Sequence, residues 1–141
     1  MAAADNARPF EWPVRVYYED TDAQAVVYYA SYFRFMERAR TEWLRSLGID
    51  QVAMMEEQRR FFVVTETKAE FIAPARFNDQ VVVTARLAGH TRATFDIEQN
   101  IYLDGLDGEL LLRGGVRVAY LDADTLRPKR VPASIFKGNQ L

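Results

Sequence analysis

The hydrophobic period of the chain changes once, and that change separates two kinds of structure. From Tyr29 to Leu47 the apolar residues Tyr32, Met36, Ala39, Trp43 and Leu47 recur at steps of three and four, with Phe33, Phe35 and Leu44 widening the stripe. Arg34, Glu37, Arg38, Arg40, Glu42 and Arg45 fill most of the remaining positions. This spacing predicts an amphipathic helix, which Gly48 is placed to end because glycine enters the left-handed conformation without a Cβ clash. A second helical turn is predicted over Asp50–Gln58, with Asp50 as its cap. From Arg60 the period drops to two: Phe61, Val63, Thr65, Thr67, Ala69 and Phe71 share one predicted strand face against Glu66, Lys68 and Glu70. Pro74 closes that strand, and Asn78-Asp79 turns the chain into another from about Gln80 to Ala88. Gly89-His90-Thr91 reads as a tight hairpin turn. The next strand sets Ala93, Phe95, Ile97, Gln99, Ile101 and Leu103 against Thr94, Asp96, Glu98, Asn100 and Tyr102. Asp104-Gly105 and Asp107-Gly108 signal a hairpin into a last strand, Glu109–Leu121, with Leu110, Leu112, Val116, Val118 and Tyr120 inward. Near the start, Val14–Tyr18 alternates like a short strand, and the residues up to Pro13 form a poorly patterned lead-in.

Strand, long helix, then four strands joined mostly by short hairpins implies antiparallel pairing. One apolar helix stripe against one apolar sheet face gives an α+β fold in two layers, the other sheet face carrying Thr, Glu, Lys and Asp toward water. At 141 residues the chain has room for one domain, expected over 1–141. Hydrophobic residues at 49% and charged residues at 27% are ordinary for a globular protein. The net charge of -2 gives no global basic field for nucleic acid or an anionic membrane. The absence of cysteine excludes a disulfide scaffold, a thiolate nucleophile and sulfur-ligated metals, and a single histidine leaves little metal chemistry. No metal and no cofactor are expected. The longest apolar run, Ala25 to Ala30, is too short to span a bilayer, and the first residues lack a leader pattern, so a cytoplasmic protein is expected.

The densest group of residues outside the core pattern is Tyr17-Tyr18-Glu19-Asp20-Thr21-Asp22-Ala23-Gln24, with three carboxylates at a strand end just before a helix start. Unpaired N–H groups and the positive end of the macrodipole stabilise a developing oxyanion at such a start. A carboxylate beside it is able to attack a carbonyl or activate a water. The competing reading makes Asp20 and Asp22 capping or turn residues of a polar loop. A calcium loop counted from Asp20 would need Gly and Glu where the chain has Ala25 and Ser31. The two-Asp pattern of haloacid-dehalogenase-like phosphatases needs a parallel sheet that is not predicted here.

The stretch Val16–Leu44 resembles the hot-dog-fold acyl-CoA thioesterases, specifically in Tyr18-Glu-Asp-Thr-Asp22, Val26-Val-Tyr28 and Phe35-Met-Glu37-Arg-Ala-Arg-Thr-Glu42. Within them it is most similar to the Tol–Pal-associated YbgC-like branch, related to 4-hydroxybenzoyl-CoA thioesterase. Phe71-Ile-Ala-Pro-Ala-Arg76-Phe-Asn-Asp79 and Arg127-Pro-Lys-Arg-Val-Pro132 extend the resemblance from Val14 to about Phe136. It implies a hot-dog fold, a long central helix wrapped by a curved five-stranded antiparallel sheet. It implies hydrolysis of acyl-CoA, or of thioesters on an acyl carrier protein, to free acid and thiol. Carried over by position, the catalytic Asp falls on Asp22, nucleophile or general base, and the backbone N–H that polarises the thioester carbonyl falls on Tyr29. Asp20 is left to shape the loop. The chain departs from the pattern at Ala25, where relatives usually have Gly, and at Tyr29, where YbgC-like members often have His. A thioester has little resonance stabilisation and a good leaving group, so one carboxylate and polarising N–H groups suffice without a triad. The alternative function is a non-catalytic acyl-CoA-binding or envelope-associated interaction module that kept the fold.

Arg59, Arg60, Arg76, Lys129 and Arg130 are candidates to meet the phosphates of coenzyme A, against the simpler reading of solvated charges. Tyr28, with Tyr32, Phe33 and Phe35, is a candidate to line an acyl channel, core or subunit contact being the commoner use. His90 is expected as a surface turn residue. Glu37, three from Arg34 and Arg40, and Glu42, three from Arg45, are expected in helix-surface ion pairs. Exposed sheet edges and the family resemblance together imply a homodimer or homotetramer with active sites between subunits.

Overall fold

Helix α1 covers Tyr29–Ser46 in the computed structural model, which describes residues 8–139; the leader reading of the first seven residues and the outer ends of the expected domain lie outside them. Tyr32, Phe35, Met36, Ala39, Trp43 and Leu44 are buried, which is the stripe the periodicity predicts. Each large side chain so buried contributes about 1.5–3 kcal/mol. The surface they cover is a five-stranded antiparallel sheet of β1 (Phe10–Arg15), β2 (Arg60–Phe71), β3 (Gln80–His90), β4 (Thr94–Leu103) and β5 (Leu110–Asp122), in the order β1-β3-β4-β5-β2. Phe95, Ile97, Gln99 and Ile101 of β4 are buried on the inner face, again as the alternation predicts. Asp50 caps the short helical turn Gln51–Ala53 by accepting from the N–H groups of Val52 and Ala53, and the chain continues through a π-helical turn over Met54–Gln58.

Four details differ from the sequence expectation, each for a local reason. The first strand begins at Phe10 and contains Pro13, inside what the pattern presents as a lead-in. β1 lies at a sheet edge, and an edge strand tolerates a residue with no N–H. Strand β2 does not lie beside β3: it pairs with β5, so the segment after Pro74 carries the chain across the sheet rather than round a hairpin. The register of β2 slips between Val64 and Glu66, and this bulge reverses the inward face. Phe62, not Phe61 or Val63, therefore meets Phe95 and Tyr120, at centroid distances of 5.5 and 5.3 Å; beyond the bulge Ala69 packs inward as expected. Finally, β3 continues through His90, whose ring lies 4.5 Å from that of Phe136, and the turn closes at Thr91, whose N–H donates to Thr94 O.

The two sheet edges are unlike. β1 has six residues and a proline, whereas β2 has twelve, mostly exposed, and a bare outer backbone among the described residues. No helix among the described residues is long and apolar enough to cross a membrane.

Candidate active site

Asp22 sits in a closed turn that runs straight into α1. Thr21 and Val27 form an antiparallel bridge. The Asp22 N–H donates to Val26 O at 2.9 Å, and the Ala25 N–H donates to Asp22 O at 3.0 Å. The turn requires a left-handed residue, and the chain places Ala25 there at φ 64°. That conformation costs an L-residue roughly 1–2 kcal/mol. The half-buried Asp22 accepts the Gln24 N–H on Oδ1 at 2.9 Å, while Oδ2 has no partner among the described residues. Val26 bridges to Arg76, so Arg76 stands at this same end, its N–H donating to Asp79 Oδ2. Tyr28 donates its N–H to Asp20 O at 2.8 Å and becomes the N-cap of α1. The next amide, that of Tyr29, has no acceptor among the described residues. An open carboxylate oxygen and an unbonded N–H at a helix N-terminus thus belong to one short loop.

Asp20, two residues away, is in a different situation. It is 3% exposed. Its Oδ2 accepts the Tyr17 N–H at 2.8 Å, and its Oδ1 faces Arg34 Nη2 at 3.3 Å. Both of its carboxylate oxygens are therefore engaged within the fold. Around the loop stands a rim of exposed rings: Tyr28 and Tyr29 at 4.7 Å, Tyr29 and Phe71 at 6.3 Å, and Tyr18 stacked on Phe77 at 3.8 Å. A side-chain hydrogen bond that its own hydroxyl gives to the neighbouring Tyr29 holds the Tyr28 phenol above its ordinary pKa. Tyr32 is buried instead, its hydroxyl accepting the Ala75 N–H at 3.0 Å.

The remaining basic candidates lie at the opposite end of the sheet. Arg60 begins β2 and Phe71 ends it, so roughly 35 Å of extended strand separates them. Arg59 pairs with Asp124 at 2.7 Å and Arg60 with Asp122 at 2.8 Å. Lys129 and Arg130 have no acidic partner among the described residues and border a hollow of about 230 Å³ with Arg92. Arg92 and Arg130 also border an adjoining hollow of about 390 Å³ together with His90 and Phe136. Sequence reasoning misses Arg92, which is isolated from other cations along the chain and joins them only where the β3–β4 turn meets the C-terminal segment.

The expected ion pairs on α1 are mostly not formed. Glu42 pairs with Arg45 at 2.6 Å, but Glu37 accepts from the Thr41 hydroxyl at 2.6 Å. Arg34 turns to Asp20, and Arg40 reaches beneath the helix to Gln99 Oε1 at 3.0 Å, where burial lowers its pKa. Helical spacing identifies neighbours on the helix, not the better acceptors offered by the loop and the sheet. No group of three His, Asp or Glu able to hold a metal ion occurs among the described residues.

A family model of the thioesterase-like superfamily matches residues 16–137. The chain belongs to this superfamily. It is 42% identical over 130 residues to an acyl-CoA thioester hydrolase YbgC of Escherichia coli, covering 92% of this chain and 95% of the relative. It is 39% identical over 126 residues to the acyl-CoA thioesterase YbgC of Haemophilus influenzae, covering 89% and 90%. The hot-dog architecture recurs in a crystal structure of a 1,4-dihydroxy-2-naphthoyl-CoA thioesterase from Synechocystis, with a TM-score of 0.85 at 19% identity over 94% of this chain and 96% of that one.

Proposed function

We propose that this protein hydrolyses acyl-CoA thioesters, with Asp22 as the nucleophile or general base and the Tyr29 amide as the oxyanion donor. The observation that carries this reading is the free Oδ2 of Asp22 in the loop that delivers an unbonded amide at the tip of α1. A carboxylate oriented by one hydrogen bond and open on its other oxygen is equipped for attack or for activating water. The unbonded N–H is equipped to receive the thioester oxygen as it becomes negative. Direct attack forms a mixed anhydride that water resolves; base action lets water attack in one step. The exposed rings of Tyr28, Tyr29 and Phe71 offer an apolar approach for the acyl group.

The same proposal makes the enzyme a homo-oligomer built on the bare edge of β2. Two copies of one strand paired antiparallel about a two-fold axis set the start of each against the end of the other. The far end of one chain would then stand beside the Asp22 end of its partner. Of the cations at that far end, Arg92, Lys129 and Arg130 are better supplied to hold coenzyme A phosphates than Arg59 and Arg60, which already have acidic partners. Acyl carrier protein as an alternative carrier belongs to the same proposal.

Thiol release from a panel of acyl-CoA esters tests the reading. Wild type is expected to release thiol and Asp22→Asn to lose about 10²–10⁴-fold of that activity, with Asp20→Asn retaining more. Absence of release from every ester by folded wild type would leave the non-catalytic binding module in its place.

A further inference from the structure

Three polar groups from the loop and the first turns of α1 close into a ring that the reaction itself does not use. Arg34 Nη2 donates to Asp20 Oδ1 at 3.3 Å and to Ser31 Oγ at 3.0 Å. The Ser31 hydroxyl in turn donates to the backbone oxygen of Asp20 at 3.2 Å. Donors and acceptors balance: each hydrogen of the Nη2 amino group has one acceptor, and the hydroxyl gives one bond and takes one. Ser31 is 2% exposed and Asp20 3%, so the ring is sealed from water except at the guanidinium. The oxygen of Asp20 that receives Ser31 also receives the Tyr28 N–H at 2.8 Å. Asp22 follows Asp20 by two residues, and Tyr29 follows Tyr28 by one. Both groups assigned to the chemistry are therefore tied to Asp20, one through the chain and the other through the Tyr28 N–H on its carbonyl.

We infer that Arg34 is a positioning residue: by tying the Asp20 carboxylate to Ser31 it fixes the Tyr29 amide relative to the Asp22 carboxylate. This rests on the hydrolase reading given above. Arg34 touches no reacting atom in this arrangement. Its effect comes from geometry, because a misplacement of about 1 Å at a reacting centre costs on the order of 10²-fold in rate. Without the guanidinium, a buried carboxylate loses its counter-charge and Ser31 loses a donor. The loop is then free to leave the helix tip while the sheet and core stay as they are.

The test compares Arg34→Met, Arg34→Lys and Ser31→Ala with wild type, and with Arg45→Met, which removes an exposed ion pair at the other end of α1. Steady-state hydrolysis is measured well below each variant's melting temperature, so that unfolding does not contribute. Arg34→Met is expected to lower kcat by roughly 10–100-fold while KM moves less than about threefold. Arg34→Lys restores part of kcat, because it returns the charge without the planar fork; Arg45→Met leaves both constants at wild-type values. Amide exchange at Tyr28 supplies a readout independent of turnover, and it is expected to accelerate at least about tenfold in Arg34→Met. A wild-type kcat in Arg34→Met overturns the inference, as does a loss that appears only in KM. Should wild type hydrolyse no acyl-CoA, the hydrolase reading fails by itself, and unchanged Tyr28 exchange in Arg34→Met then refutes the ring separately.

Discussion

The two ends of α1 use their charges in opposite ways. At the C-terminal end Arg45 meets Glu42, and the start of β2 alongside has Arg59 on Asp124 and Arg60 on Asp122, all within 2.8 Å. In the loop that precedes the N-terminal end, Asp20 is the one carboxylate paired with a cation among the described residues, at 3.3 Å. Among the described residues Asp22 keeps an oxygen free and Tyr29 its amide, and Tyr18, Tyr28, Tyr29, Phe71 and Ile72 remain exposed. Stability alone does not favour an open carboxylate next to an alanine held at positive φ. Local rules of this kind are broken where a site requires it. The sheet repeats the contrast: β1 is short and interrupted by proline, while β2 presents twelve residues with no strand on their outer side among the described residues. One end and one edge are finished within the chain; the others are left open among the described residues.

The largest expected effect tests whether the two ends meet between subunits. Arg92→Glu with Arg130→Glu in one chain is expected to weaken acyl-CoA binding, raising KM by about tenfold or more through reversed charge at a phosphate contact. Asp22→Asn in another chain removes turnover. Mixed in equal amounts and allowed to exchange, half of the pairs are heterodimers with one intact site in two, so about a quarter of the wild-type sites return at low substrate concentration. If both ends of a site come from the same chain, mixing restores nothing.

This contrast also shows what a sequence discloses. The stripe of α1 and the alternation of β4 were legible because burial on one side imposes a period that no other constraint disturbs. The face of β2 was not, since the slip at Val64/Glu66 leaves composition unchanged while exchanging inside for outside. Pro13 hid β1, because a proline tolerated only at an edge looks like a break until the edge is known. In the site, the Asp20-x-Asp22 pattern marked the loop, but which carboxylate is engaged and which keeps an open oxygen follows from contacts that helical spacing does not encode. Arg34 and Arg40 had acidic neighbours on α1 and chose Asp20 and Gln99. Arg92 lacked any signal along the chain.

A smaller effect sharpens the contrast at Ala25. At φ 64° a glycine removes the Cβ penalty of roughly 1–2 kcal/mol, while the more flexible unfolded chain takes back about 0.5–1. Ala25→Gly is therefore expected to stabilise the protein by about 0.5–1 kcal/mol, measured by denaturant unfolding. If it instead destabilises, the Cβ of Ala25 makes a contact that outweighs its strain.

The smallest effect belongs to the finished end. Asp122 lies below the ordinary carboxylate pKa because its Oδ1 accepts the N–H groups of Thr125 and Asp124, and Arg60 adds to this through Oδ2. A carboxylate whose folded pKa is depressed contributes stability above its unfolded value, near 3.9, and loses it as the pH falls through the lower folded value. Asp122→Asn should accordingly lower the melting temperature at neutral pH. The gap to wild type should narrow as the solution is taken below the carboxylate range, where both side chains are uncharged. Thermal scans of Asp122→Asn and wild type between neutral and strongly acid pH follow that gap. A gap at Asp122 that persists undiminished in acid would mean that shape, not charge, holds the far end together.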